Sequence, residues 1–226
     1  MKYLGVFFFI FLYINSHAKQ YHSIYIDVKF GHAPLQLDKK YITTKGDTIE
    51  INILKYYLSN MQFLYDGIEV WKASKLHHLI DFENKNTLTL QYHLPSNIKY
   101  NQIKFDIGID SITQFAGALG GDLDPTNGMY WTWQNGYIHV KLEGKSSACN
   151  TPNDAFQFHL GGYMSPFNTL QTVKLPMQNK INHVIEMDIE KIFLFISLDS
   201  LHHIMSPSED AVMISTHLPS LFTIKD

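Results

Sequence analysis

Between residues 23 and 30 the chain reads SIYIDVKF, with apolar and polar positions alternating one by one. A period of two sends successive side chains to opposite faces, so this pattern predicts a half-buried β-strand. TIEINI at 48–53 alternates in the same way. An aromatic-rich run, KYYLSNMQFLYDG, follows it and closes on Asp66-Gly67, a turn signal. HHLIDF (77–82), LTLQYHL (88–94), NQIKFDIGID (101–110), FQFHLGGY (156–163) and VIEMDIEKIFLF (184–195) are further strand candidates. Short turns rich in Gly, Pro, Asn and Asp separate them. Helical spacing is confined to the C-terminal end. There Ser208 can cap a helix whose first turn holds Glu209 and Asp210 and whose apolar positions include Ala211, Met213, Ile214 and Leu218. Ser200 to Met205 is a candidate for another short helical turn. No strand–helix alternation runs along the chain, which argues against a doubly wound parallel sheet. The pattern predicts an all-β protein, one antiparallel β-sandwich with a short C-terminal helical segment.

The first residues follow another rule. Met1-Lys2 gives a positive start, Leu4 to Ile14 is an almost unbroken apolar run, and Ser16-His17-Ala18 has the small-x-small form of a cleavage site. Residues 1–18 therefore read as a signal peptide, too short for a comfortable membrane span. The expected mature domain is 19–226, periplasmic or secreted, with no membrane span after cleavage. Charge and cysteine content then narrow the field. A net charge of −3 offers no basic field to attract nucleic acid. Cys149 is the only cysteine, so no internal disulfide forms and stability must come from a core or from bound metal.

Two of the three tryptophans fall in GDLDPTNGMYWTWQNGYIHVKLEG, residues 121–144. Asn135-Gly136 is a strong signal for a two-residue hairpin turn. Such a turn would set Trp133 opposite Ile138 and Trp131 opposite Val140. Both indoles would then share one face with Ile138, Val140 and Leu142, and His139 would point to the other. Core packing alone would account for that arrangement. The preceding loop adds oxygen ligands. Asp122, Asp124 and Asn127 are candidates for calcium, although their spacing is not that of an EF-hand. Asx-turn chemistry without metal is the alternative.

Twelve histidines are a surplus for an ordinary globular chain. None lies in an HExxH or zinc-finger spacing, and no cysteine stands where a blue-copper site would need one. Two settings concentrate metal-ligand chemistry. His159 lies in FQFHLGGY, a strand running into a Gly-Gly pair. His202-His203-Ile204-Met205 lies just before Ser-Pro. Imidazole and thioether together suit copper, especially Cu(I), better than magnesium or calcium.

The W-x-W segment with its acidic Gly loop, FHLGGY downstream, and HHIMSP and LPSLF near the end together resemble the MbnP-like family. GDTIEINILKYYLSNMQF resembles that family's N-terminal half, so the resemblance spans nearly the whole mature chain. These are extracytoplasmic copper-binding proteins associated with methanobactin operons, together with wider bacterial relatives. The resemblance implies a protein that is not itself an enzyme. It implies that Trp131 or Trp133 is oxidised to kynurenine by a partner di-haem protein related to cytochrome c peroxidases (MbnH-like). The kynurenine would then join histidines around copper. His159 and His203 are the leading ligand candidates, with His32 third, His202 competing with His203, and Met205 as a weak axial ligand. SITQFAGA at 111–118 departs from the Asn-rich stretch expected before the Gly loop, which weakens the calcium reading. The alternative function is a secreted β-sandwich binding module for a glycan or surface ligand, with exposed aromatics for stacking and a structural calcium loop. A hydrolase using paired carboxylates among Asp106, Asp110, Asp122 and Asp124 is a weaker reading, with no nucleophile elbow or Cys-His pair beside it.

Overall fold

The computed structural model describes residues 19–225, and the expected signal peptide at 1–18 lies outside the described residues. Strands β1 (Lys19–Phe30), β2 (Ala33–Pro34), β3 (Lys40–Ile42) and β4 (Thr48–Tyr65) come first. They are followed by β5 (Ile68–Lys72), β6 (His77–Asp81), β7 (Thr89–Pro95) and β8 (Gln102–Ile107). After a short helix, α1 (Ser111–Phe115), come β9 (Tyr130–Trp131), β10 (Gly136–Ser146), β11 (Ala155–Gly161), β12 (Gln171–Pro176) and β13 (Asn182–Asp188). Then β14 (His203–Ile204), α2 (Glu209–His217) and β15 (Phe222–Lys225) close the described chain.

These strands form two sheets. The smaller has the order β15-β13-β1-β2, with β7 also on β1. The larger runs β12-β8-β4-β10-β11-β14, with β3, β5 and β6 on β4 and β9 on β10. The alternation read from the sequence selects the facing surfaces. Ile24, Ile26 and Val28 of β1 and Ile185 and Met187 of β13 face Ile49, Ile51 and Leu54 of β4 and Phe156, Phe158 and Leu160 of β11 in one continuous core. Burying these side chains is what drives the two sheets together.

The expected all-antiparallel pairing needs correction at two places. β1 pairs with β13 in parallel, and β11 pairs with β14 in parallel. The first arises because the chain leaves the large sheet at β12 and crosses to the small sheet before β13. Ser200 to Met205 is not helical. Its residues His203–Ile204 extend as β14 instead, because the open edge of β11 offers ladder partners. VIEMDIEKIFLF also divides: β13 ends at Asp188, whose carboxylate accepts from the Glu190 N–H and starts a 3₁₀ turn over Ile189–Leu194. Helix α2 starts as read, with the Ser208 side chain accepting from Ala211 N–H.

β4 is a single strand of 18 residues with a register shift against β8 between Ser59 and Gln62. Asn60 takes φ 53° at that bulge. On the outer face of the large sheet the segment between β8 and β10 folds back to make a second core. Tyr57, Leu79, Ile109, Leu123, Met129, Trp131, Tyr137 and Ile138 are buried together there. That second core carries the candidate site.

Candidate metal centre

The W-x-W hairpin is not the two-residue turn expected from Asn135-Gly136. Trp131 pairs with Gly136 and Tyr130 with Tyr137, so four residues, 132–135, make the turn. A type I′ turn needs positive φ at both central residues. Only Asn135 supplies it, at φ 53°, and the ladder resumes at Gly136. The two tryptophans therefore part company. Trp131 is 5% exposed and belongs to the second core, whereas Trp133 stands in the turn, 66% exposed. Their ring centroids remain 6.2 Å apart. Trp131 lies against Gly161 at the end of β11. A Cβ there would sit 2.7 Å from the ring's Cζ3, so glycine is what lets the indole lie down on the strand. The buried indole N–H has no hydrogen-bond partner among the described residues.

His159 precedes Gly161 by two positions on β11 and so shares its face. The ring is buried. Its Nε2–H donates to Glu143 Oε1 at 2.7 Å, reaching across the β10–β11 ladder. That bond, helped by the Lys141 cation 3.5 Å from the same carboxylate, pulls Glu143 down to about 2. The other imidazole nitrogen, Nδ1, is buried with no partner. An imidazole anchored through one nitrogen by a carboxylate, with the second lone pair free, is how proteins orient metal-binding histidines. The free lone pair of His159 Nδ1 is the structural observation that fits a metal here; the Trp131 indole nitrogen is a donor only. Sequence reasoning missed Glu143. The period-two step from Lys141 to Glu143 put both on one face, but the pairing with His159 needed the β11 register.

The remaining candidates fall in three places. β14 sets His203 opposite Gln157, on the face of His159, where His203 is exposed. His202 alternates to the other face; its carbonyl accepts from Gln157 N–H at 2.8 Å and its Nδ1 is buried without a partner. Met205, half-buried, follows directly on β14. His32 is exposed in the turn after β1, a strand of the smaller sheet. The structure thus places His159 and His203 on one surface and leaves His32 on the other sheet. Among the described residues no three His, Cys, Asp or Glu side chains are gathered as a metal site.

The side chains of the acidic loop already have protein partners. Asp122 Oδ2 pairs with Lys75 Nζ at 2.8 Å and accepts from Leu79 N–H at 3.1 Å. Asp124 Oδ1 accepts from the Thr126 N–H at 2.8 Å and its hydroxyl at 2.6 Å. The Asn127 amide donates to the carbonyls of Gly121 and Asp122. The Asp124 contact with the Thr126 N–H is an Asx turn. A calcium ion would have to displace Lys75 from Asp122.

His139 lies apart from the tryptophans, at a bulge between Ile138 and Val140. Its Nε2 accepts from Gln114 Nε2 at 2.9 Å and its Nδ1 lies 2.9 Å from Thr169 Oγ1. The ring is fully buried, which pushes it down to about 4. Gln114 also accepts from Tyr137 N–H at 2.7 Å, fastening α1 to the hairpin.

The class defined here is a two-sheet β-sandwich whose W-x-W hairpin lays one indole on the strand that carries a carboxylate-anchored histidine. The chain belongs to the MbnP family, whose model matches residues 19–212. Its fold is similar to that of MbnP from Methylosinus trichosporium, with a TM-score of 0.63 at 12% identity over 86% of this chain and 87% of that one. Comparison with curated proteins yields no match.

Proposed function

We propose that this protein is an extracytoplasmic copper-binding protein, not itself an enzyme. In this reading Trp131 is oxidised to kynurenine by a partner di-haem protein of the MbnH type. Opening the indole replaces an apolar ring by an aromatic amine and a ketone, both potential ligands, on the face that holds His159. The observation that carries the reading is the buried His159 Nδ1, unpartnered while Nε2 is held by Glu143, on the strand face where Trp131 rests. His203 and Met205 would complete the donor set from the edge strand. Imidazole and thioether suit the soft cuprous ion. Trp133, exposed and 6.2 Å from Trp131, is the surface through which an oxidant would reach the buried ring. The signal-peptide pattern at 1–18 supports an extracytoplasmic location.

The test is an intact and peptide mass spectrum of the protein from its native host, with copper measured on the same sample. The W-x-W peptide should gain one oxygen and lose one carbon, and fragmentation should place the change at Trp131. Copper should fall below stoichiometric in Trp131→Phe and His159→Ala. An unmodified peptide from cells that express the haem partner would return both tryptophans to packing roles. One observation favours a second reading. Trp133 lines an open groove of about 520 Å³ together with Tyr163, Met164 and Phe167, which suits stacking on a glycan. Glycan binding with copper chelated, lost in Trp133→Ala, would support it instead.

A further inference from the structure

His139 takes no part in the proposed metal site, yet it ties together the two pieces of chain that seat Trp131. The Trp131 ring lies on Gly161. Gly162 follows, and its carbonyl accepts from the Thr169 N–H at 3.1 Å. On the other side Trp131 pairs with Gly136, and Tyr137 comes next along β10. His139 spans these two sides through Gln114 and Thr169, and all three side chains are buried. A Cβ at Gly108 would lie 2.5 Å from His139 Nδ1, so a glycine at the exit of β8 makes room for the ring.

One backbone group fixes every proton in this bridge. The Tyr137 N–H can only donate, and it lies 2.7 Å from Gln114 Oε1, so the amide oxygen must face it. The Gln114 NH2 group then faces His139 Nε2 at 2.9 Å, and that nitrogen must accept. A neutral imidazole carries one N–H, which here sits on Nδ1, 2.9 Å from Thr169 Oγ1. The Thr169 hydroxyl donates in turn to the Gly162 carbonyl, 3.3 Å away. Donors thus point one way along the whole chain, from the hairpin to the end of β11. A second proton on the ring has no place in it. It would go on Nε2 and set N–H against N–H. Turning the Gln114 amide over would only move that conflict to Tyr137, whose N–H cannot turn.

We propose that His139 is a proton-operated latch on the W-x-W hairpin: neutral, it holds the hairpin and the end of β11 together over Trp131; protonated, it releases them and uncovers the indole. The latch concerns how Trp131 is seated and rests on neither copper nor kynurenine. The charged groups on the surrounding elements are turned elsewhere. Asp106 of β8 accepts from Asn60 and Thr172. Asp110, which caps α1, faces Thr113 and His77, and Lys141 of β10 faces Glu143. The Tyr57 and Tyr137 phenols donate to backbone carbonyls. Burial is therefore what holds the ring down at about 4, against the pull of the Thr169 and Ile109 carbonyls. The latch is fully closed above pH 6.5 and loses its hold as pH falls from 6.5 towards 4.

The experiment is hydrogen exchange by NMR on the full chain, expressed without the haem partner so that Trp131 stays intact. Two protons report on the latch: the Tyr137 backbone N–H, held by Gln114, and the Trp131 indole N–H, buried without a partner. A proton taken up at 6.5 in the open form and at about 4 in the closed one favours opening about 60-fold more at pH 4.5 than at pH 7. Both reporters should lose protection by that factor once intrinsic rates are corrected, while the core amides of β4 stay slower at both pH values. His139→Gln should flatten the response. Gln114→Glu should invert it, because its second carboxylate oxygen accepts from the protonated Nε2, so the reporters become better protected at pH 4.5 than at pH 7. Reporters that exchange only at the rate of the β4 amides, or that keep the parent's pH response in Gln114→Glu, overturn the latch. Neither result touches copper binding at His159, so the two readings fail separately.

Discussion

Glu143 and His159 form one unit, and the chemistry of each depends on the other. The carboxylate orients the ring and keeps Nδ1 free, so if the proposed copper site holds, Glu143→Gln should weaken copper about 10- to 100-fold without removing a ligand. A competition titration against a cuprous chelator would read this; unchanged affinity would show that His159 is no ligand. Histidine counts alone could not separate His159 from His139. Both lie on strands among apolar neighbours. His139 spends both nitrogens on Gln114 and Thr169, whereas His159 keeps one free. The surplus of histidines was visible in the chain, but which nitrogens are occupied was not.

At the scale of elements, the hairpin and strand β11 are interlocked through Gly161. Gly161→Ala would drive a methyl into the Trp131 ring and the Tyr137 carbonyl, 2.7 and 2.8 Å away. The loss should be about 1–3 kcal/mol, with a shift in tryptophan fluorescence, measured by urea unfolding. If stability holds, the contact is softer than the backbone geometry implies. Helix α2 offers a simpler case. Ser208→Ala removes its cap and should cost about 1 kcal/mol in the same assay. That cap was legible because capping is local. The hairpin turn was misread because Asn-Gly specifies positive φ without deciding how many residues the ladder leaves unpaired. The edge strand β14 was read as helix for a related reason: an extended pair of residues needs a partner that lies far off in sequence.

Across the whole molecule, burial of neutral histidines ties stability to pH. His139 and His78 are both lowered from 6.5 to about 4, chiefly by burial. The unfolded chain takes up these protons first as pH falls, so the stability they carry is full above 6.5 and drains between 6.5 and 4. For His139 alone the loss reaches about 3 kcal/mol. Glu143, depressed from 4.5 to about 2, loses its contribution in a second window between those values. Urea midpoints at pH 7, 5.5 and 4.5 should therefore decline steadily; a flat profile would mean that these imidazoles take protons without opening the fold.

Period-two alternation was enough to place most long strands, and with them the sandwich class, because which face a side chain takes is a property of the strand itself. The W-x-W segment and its neighbours pointed to the family, and Ser208 to the helix. The tertiary structure alone decided that Trp131 is buried and Trp133 exposed, that β1 and β13 run parallel, and which side chains meet. His159 finds Glu143 16 residues away, and His22 finds Lys180 158 residues away. Contacts at those separations follow from sheet order and register, which are settled by the summed burial of two whole sheets and not by any local pattern.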